Sequence, residues 1–341
     1  MKILILKPSS LGDVVQAIPV LRMLKRHLPG SKIYWWIDSR LAPLLEGDPD
    51  LTGIVRFDRQ HWAEPRQGLE FWRSLRWMRS QSFDWVIDLQ CLIRSGFVAW
   101  LANGKTTIGL DEPREGARGF YDIIAQRPSF HTHAVDWYLE VLRLLNVPVR
   151  WDFQWLPERR ESAAALRRRW SVGEARWLVI QAGARRLNKR WPAEHFAGLV
   201  RQLAAAHGDL RFAILGTRDE QPLGEIIARV DPYRCLNLTG QVSLSEMVEW
   251  IRLGELVVSN DTGPMHVAAA LGKPLVALFG PTEPRRTGPY GQIDHTLQLD
   301  LPCVPCLKHR CAWQNPLECL QALPPAAVFQ AVQRGLSSLS R

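Results

Sequence analysis

Ile3-Leu4-Ile5-Leu6, followed by Lys7-Pro8-Ser9-Ser10-Leu11-Gly12-Asp13, is the stretch that decides how this chain is read. Four consecutive apolar residues predict a strand buried on both faces, as in a parallel sheet. Val14, Ile18, Leu21 and Leu24 then recur near the helical period up to about His27, and Pro29-Gly30 stops the run. The polar segment between them lies at the C-terminal edge of a sheet, where open α/β folds bind ligands.

The same grammar continues outward. Lys32 to Ile37 and Asp84 to Leu89 read as further strands, the second entered from a helical stretch rich in Trp and Arg. The pattern changes between Pro148 and Glu161, where Trp151, Trp155 and Pro157 precede the run Arg167-Arg168-Arg169. We place the junction there, with domains over 1–155 and 156–341. A second alternating series follows: strands at Trp177–Gln181, Arg211–Leu215, near Leu236, Leu256–Ser259 and Leu275–Phe279. Helices are expected over Pro192–His207, Leu244–Leu253, Met265–Leu271 and Pro325–Leu339, the last packing back toward the first domain. The expected architecture is α/β, two Rossmann-like doubly wound domains with a cleft between them.

Composition sets the outer bounds. The 341 residues suit two domains, and 46% hydrophobic with 23% charged residues suits a globular core. No apolar run approaches the ~18 residues of a membrane span, and Lys7 interrupts the N-terminal run too early for a secretory signal. A cytoplasmic protein is therefore expected. The 43 basic and 34 acidic residues leave a net charge of +9, which favours anionic partners without choosing among them.

The sharpest local signal is Ser259-Asn260-Asp261-Thr262-Gly263-Pro264-Met265-His266. A strand ends in small polar residues and a helix begins near Pro264. Free N–H groups at Thr262, Gly263 and the first helical turn predict a diphosphate site. Asp261 is read either as a helix cap or as an acceptor from a hydroxyl, and His266 either as a phosphate contact or as a packed helix residue. In the first loop, Ser9, Ser10 and Gly12 offer hydroxyls and close backbone approach. Asp13 either caps its helix or acts at the ligand edge. Neither segment is GxGxxG or a Walker loop.

The opening Lys-Pro-Ser-Ser-Leu-Gly-Asp, the Asn-Asp-Thr-Gly-Pro-Met-His segment and the later Phe279-Gly280-Pro281-Thr282 together resemble glycosyltransferase family 9, the lipopolysaccharide heptosyltransferases. The resemblance covers nearly the whole chain. It implies a GT-B fold, with the acceptor held mainly by the first domain and the nucleotide-sugar by the second. It implies inverting transfer of heptose from ADP-heptose to the inner core of lipid A, with Asp13 as general base across the cleft from residues 261–266. It places Lys189, before Trp191-Pro192, on the donor phosphates and Glu220 on the adenosine side. From the residues alone, Lys189 would be a solvated basic loop and Glu220 a helix-start carboxylate. Asp261, Thr262, Gly263 and His266 complete the expected donor site.

Arg56, Arg59, Arg66, Arg73, Arg76 and Arg79 are interleaved with Trp62, Phe71, Trp72, Trp77 and Met78. Leu69, Trp72 and Leu75 are expected to bury one face of a helix, with the arginines outward toward phosphates, sugar carboxylates or an anionic membrane surface. The expected acceptor residues are Ser9, Ser10, Gly12, Arg56, Arg59 and Arg114. The phosphate motifs carry no Asp-x-Asp pair, so no cofactor or catalytic metal is expected beyond the ADP-sugar co-substrate. Cys303, Cys306, Cys311 and Cys319 form a tail cluster that metal or disulfide could clamp, while Cys91 and Cys235 read as core. The expected enzyme works peripherally on the inner face of the cytoplasmic membrane. The rival readings are a family 9 transferase with another nucleotide-sugar, a GT-B nucleotide-sugar epimerase, and a nucleic-acid-binding protein. Strand-end motifs without a continuous basic stripe speak against the last.

Overall fold

A computed structural model describes residues 1–58, 65–112 and 115–339, and the side chains of 65–67 also lie outside the described set. The chain divides into two compact units, Met1–Pro157 and Glu158–Arg341.

In the first unit, β1 (Lys2–Leu6), α1 (Leu11–His27), β2 (Lys32–Asp38), β3 (Gly53–Phe57), α2 (Pro65–Ser80), β4 (Trp85–Asp88), α3 (Ile93–Ala102), β5 (Thr106–Leu110), β6 (Ile123–Ala125) and α4 (Ala134–Leu144) follow in order. The strands form one parallel sheet in the order β3-β2-β1-β4-β5-β6. Ile3 to Leu6 are fully buried, as a central parallel strand requires. Val14, Ile18, Leu21 and Leu24 are likewise fully buried along α1. β3, β5, β6, α3 and α4 are elements that the sequence reading above does not name.

The second unit holds α5 (Arg160–Arg169), β7 (Arg176–Gln181), α6 (Ala193–Ala206), β8 (Leu210–Leu215), α7 (Gln221–Ala228), β9 (Cys235–Asn237), α8 (Leu244–Leu253), β10 (Leu256–Asn260), α9 (Gly263–Ala270), β11 (Leu275–Phe279), α10 (Pro284–Thr287), β12 (Thr296–Gln298), α11 (Glu318–Gln321) and α12 (Pro325–Leu339). Its sheet runs β12-β11-β10-β7-β8-β9. Counted from its own first strand, this is the same 3-2-1-4-5-6 order, so both units are Rossmann-like. In each, the order reverses between the first and fourth strands. The crevices that open there lie beside β1 and β4 in one unit and beside β7 and β10 in the other.

Two expectations change. The last helix was expected to pack toward the first domain. Val328, Val332 and Leu336 of α12 are instead buried in the core of the second unit, because their stripe completes the apolar cover over its sheet. On α2, Leu75 and Met78 face the core, but Leu69 is 61% and Trp72 57% exposed, so the helix buries a narrower stripe than expected.

The end of the first unit is fixed by Arg22. Its guanidinium donates to both carboxylate oxygens of Asp48, to Asp50 Oδ2 and to the carbonyls of Gln154 and Trp155. Asp48-Pro49-Asp50 is an Asp-x-Asp, away from the phosphate motifs, and both its carboxylates are engaged by this one cation.

Candidate functional site

The crevice of the first unit is built on the loop from β1 to α1. Ser10 is the N-cap of α1, and Asp13 Oδ2 accepts from Ser10 N at 2.9 Å and Ser10 Oγ at 2.6 Å. Asp13 thus serves the cap, through one oxygen, while remaining partly exposed at the strand edge. Gly12 is buried and Ser9 partly so. The four loop residues named from the sequence therefore lie together.

Beneath them is a buried polar cluster that sequence reasoning missed. Lys7 Nζ donates to the Leu89 carbonyl at 2.7 Å, tying the end of β1 to the loop after β4, and sits 4.7 Å from the centre of the Tyr138 ring. Burial works against the Lys7 ammonium. Tyr138, Asp13 and Cys91 outweigh it and hold its pKa above the ordinary value. Asp88, fully buried at the end of β4, accepts from Gln90 N at 2.8 Å, Cys91 N at 3.1 Å and Tyr121 Oη at 2.8 Å. Burial raises its pKa despite those donors. Tyr121 reaches Asp88 because its ring lies on Gly109, where any Cβ would stand 2.4 Å from the ring. Only the Lys7 position gave a signal in the sequence. Asp88 and Tyr121 join it through strand order, and Tyr138 through the packing of α4.

The other acceptor candidates lie apart or cannot be placed. Arg56 is on the outer strand β3, two strands from β1, where it is exposed and pairs with Glu46 at 2.6 Å. Arg59 and Arg114 lie outside the described residues.

In the second unit, the loop between β10 and α9 behaves as a polar turn. Asn260 is fully buried, accepts from Trp191 N at 3.0 Å and donates to the Ala182 carbonyl at 2.6 Å. It locks the loops after β7 and β10 together. The N-cap of α9 is Thr262, and Asp261 caps no helix among the described residues. Its Oδ2 accepts from Lys189 Nζ and from Thr282 Oγ1, each at 2.5 Å. The reason is geometric: β7, β10 and β11 are neighbours, so their three loops converge. Lys189 is only 18% exposed, not a solvated loop residue, and Thr282, the last residue of the Phe-Gly-Pro-Thr motif, joins it on Asp261.

The expected amide donors are fewer than the motif suggested. Pro264 has no N–H, and Met265 N donates to the Thr262 carbonyl at 3.1 Å. Thr262 and Gly263 N–H remain without a backbone partner among the described residues, at the positive end of α9. His266 is buried one turn into that helix.

β8 is next to β7, and Glu220 lies in the turn between β8 and α7. Its Oε2 accepts from Thr217 N at 2.9 Å, and Oε1 is 3.6 Å from Arg190 Nη2. Gly183 makes room for it: a Cβ there would stand 1.9 Å from the carboxyl carbon. The carboxylate is buried against the loop after β7 and so belongs to the same crevice as Lys189 and Asp261.

The tail cysteines also come together. Cys303, Cys306, Cys311 and Cys319 line one cavity of about 70 Å³, all as free thiols. No helix among the described residues is long and apolar enough to cross a membrane.

Comparison with known proteins agrees with this architecture. Residues 70–316 match the family model for glycosyltransferase family 9 (heptosyltransferase). Lipopolysaccharide heptosyltransferase 1 of Pseudomonas aeruginosa is 30% identical over 327 residues, covering 92% of this chain and 88% of that protein. Lipopolysaccharide heptosyltransferase 2 of Salmonella typhimurium is 28% identical, covering 88% of each. Among solved structures, Escherichia coli ADP-heptose LPS heptosyltransferase II superposes with a TM-score of 0.80 at 23% identity, covering 100% of both chains. Escherichia coli heptosyltransferase WaaC with ADP gives 0.75 at 24% identity, covering 98% of this chain and 100% of that one. These likenesses give the GT-B fold, and the match over most of its length shows that the chain belongs to glycosyltransferase family 9, the heptosyltransferases.

Proposed function

We propose that this protein is an inverting glycosyltransferase that moves heptose from ADP-L-glycero-D-manno-heptose to the inner core of lipopolysaccharide, either Kdo-lipid A or its heptosylated form. The observation that carries the reading is family membership, with a lipopolysaccharide heptosyltransferase 30% identical across 92% of the chain.

The residues support a division of labour. The second unit offers the diphosphate a cation at Lys189 and the N–H groups of Thr262 and Gly263. His266 stands in the first turn of the same helix. Glu220, buried beside Gly183, is suited to accept from a ribose or base donor. Asp13 in the first unit takes the proton of the acceptor hydroxyl. That oxygen bonds to the anomeric carbon from the face opposite the diphosphate. The carbon–oxygen bond to ADP breaks, and the electron pair leaves on the diphosphate, where the cation and amides stabilise it. With those donors in place, turnover is expected without an added divalent ion or other cofactor.

The lipid-linked acceptor places the enzyme at the inner face of the cytoplasmic membrane. On α2, Trp72 and Trp77 are exposed beside Arg73, Arg76 and Arg79, and α3, which packs against α2, exposes Phe97 and Trp100. Aromatic and guanidinium groups together suit an anionic interface.

The deciding experiment mixes the protein with ADP-heptose and truncated cores and weighs the product. One added heptose supports the reading. Transfer only from another nucleotide-sugar would keep the family and replace the donor.

A further inference from the structure

The second unit carries one feature that the proposed transfer does not use. Between β12 and α11, residues 299–317 contain neither helix nor strand. A segment this long without its own secondary structure needs other restraints. Leu307 and Leu317 within it hold positive φ, at 55° and 62°, a conformation unfavourable for a residue with a side chain. Among its hydrogen bonds, Val304 N donates to the Leu301 carbonyl at 2.9 Å and Glu318 N to the Asn315 carbonyl at 3.2 Å. Leu317 N donates to Cys311 Sγ at 3.3 Å, and Trp313 Nε1 to Glu318 Oε2 at 2.8 Å.

The segment also carries three cysteines, and a fourth lies just beyond it. Cys303 and Cys306 are spaced C-x-x-C, Cys311 follows, and Cys319 arrives from α11. All four line the same cavity, and none is in a disulfide. Four convergent thiols are a ligand set for a thiophilic, tetrahedral transition metal such as Zn²⁺ or iron, and a poor one for Mg²⁺ or Ca²⁺. Among the described residues no three His, Cys, Asp or Glu side chains already stand at metal-binding spacing. Binding would therefore draw the thiols inward across the cavity.

The position of this segment gives such an ion a task. Lys308 O accepts from Asn188 Nδ2 at 2.9 Å, and Leu307 N donates to Pro281 O at 2.7 Å. Asn188 adjoins Lys189 and Pro281 adjoins Thr282, the two residues that meet on Asp261. The cysteine segment thus braces both loops of the donor crevice from behind.

We propose that Cys303, Cys306, Cys311 and Cys319 form a structural site for one zinc or iron ion, which fixes the loops carrying Lys189 and Thr282. The ion takes no part in transfer. Only its effect on donor affinity rests on the proposed function.

Metal analysis of the purified full chain, with Co²⁺ titration of chelated protein under reductant, tests the site. About one equivalent of zinc or iron per chain, and thiolate-to-cobalt charge-transfer bands saturating at one equivalent, are expected. The Cys303→Ser/Cys306→Ser variant should lose both, and Cys235→Ser should keep them. Calorimetry with ADP reads the positioning role, with an affinity at least 5-fold weaker after metal removal and restored by Zn²⁺ (about 1 kcal/mol). A wild-type protein that binds no cobalt, zinc or iron under reductant, or that yields disulfides among these four residues by mass, overturns the site. Metal removal that leaves ADP affinity unchanged overturns the bracing role. A protein that holds the metal but never binds ADP leaves the site standing and removes the ADP-sugar reading.

Discussion

Lys189 Nζ lies 2.5 Å from Asp261 Oδ2, on an oxygen it shares with the Thr282 hydroxyl. The cation proposed for the donor phosphates is therefore already oriented by a carboxylate 72 residues away. Lys189→Ala should weaken ADP binding by ~10–100-fold, the usual worth of a hydrogen bond to a charged group. Asp261→Asn removes a negative charge beside the diphosphate and leaves Lys189 in place, so ADP should bind at least as tightly as to the wild type. Calorimetry checks both. Equal losses in the two variants would mean that the lysine needs the full carboxylate charge, beyond an acceptor oxygen, to stay in place.

Gly183 and Glu220 are in a similarly close relation. A methyl group at 183 occupies the volume of the Glu220 carboxylate, which Thr217 N–H holds in place. Gly183→Ala should cost ~1–3 kcal/mol, the range for overpacking. In Glu220→Ala that cost should largely vanish, because the clash is gone. A double-mutant cycle by denaturant unfolding measures this coupling, and additive losses would contradict the packing.

Asp13 both caps α1 and is the proposed base. Asp13→Asn keeps an acceptor for Ser10 N–H, so the thermal midpoint and ADP affinity should barely move. Turnover should fall ~10²–10⁴-fold. Steady-state rates near wild type would reduce Asp13 to its capping role.

Glu249 on α8 is buried, and its Oε1 has no hydrogen-bond partner among the described residues although Arg252 Nε is 3.3 Å from Oε2. Burial, the largest influence, raises its pKa against the pull of Arg252 and Arg159. A raised carboxyl pKa in the folded state favours folding at low pH. That advantage is lost as pH rises from the unfolded value, ~4.3, through the folded one. Glu249→Gln should therefore raise stability at pH 7, within the ~1–3 kcal/mol desolvation cost of an ill-matched buried group, and change little near pH 4. Equal effects at both pH values would show that the charge is not responsible.

The exposed face of α2 makes a prediction for membranes. Each basic residue at an anionic bilayer is worth ~1 kcal/mol and is screened by salt. Replacing Arg73, Arg76 and Arg79 by Gln should lower partitioning to anionic vesicles by ~100-fold at low salt. It should also raise KM for a lipid-linked core while sparing a deacylated one. Equal loss on both substrates would mark an acceptor site, and no loss on either an ordinary solvated face.

The sequence determined the parts of this protein that depend on neighbours along the chain. Leu244–Leu253, Leu275–Phe279 and Pro325–Leu339 are legible because period and turn chemistry are local. So is the polar turn at 259–266, where a strand ending in small polar residues meets Pro264. The family motifs added roles for Asp13 and Lys189 that spacing alone left open. Only the tertiary structure decided what meets what. Asp88 joins Tyr121 because β5, with Gly109, lies between β4 and β6, and Lys7 joins Tyr138 because α4 packs against α1. Strand order leaves no trace in hydrophobic period, since every central parallel strand reads as the same apolar run. Asp261 reads in isolation as a cap or as an acceptor from a hydroxyl, and becomes the partner of Lys189 and Thr282 once β7, β10 and β11 stand side by side. Leu69 and Trp72 looked like core for the same reason: period shows that a helix has an apolar face, and only packing decides how wide a stripe of it is covered.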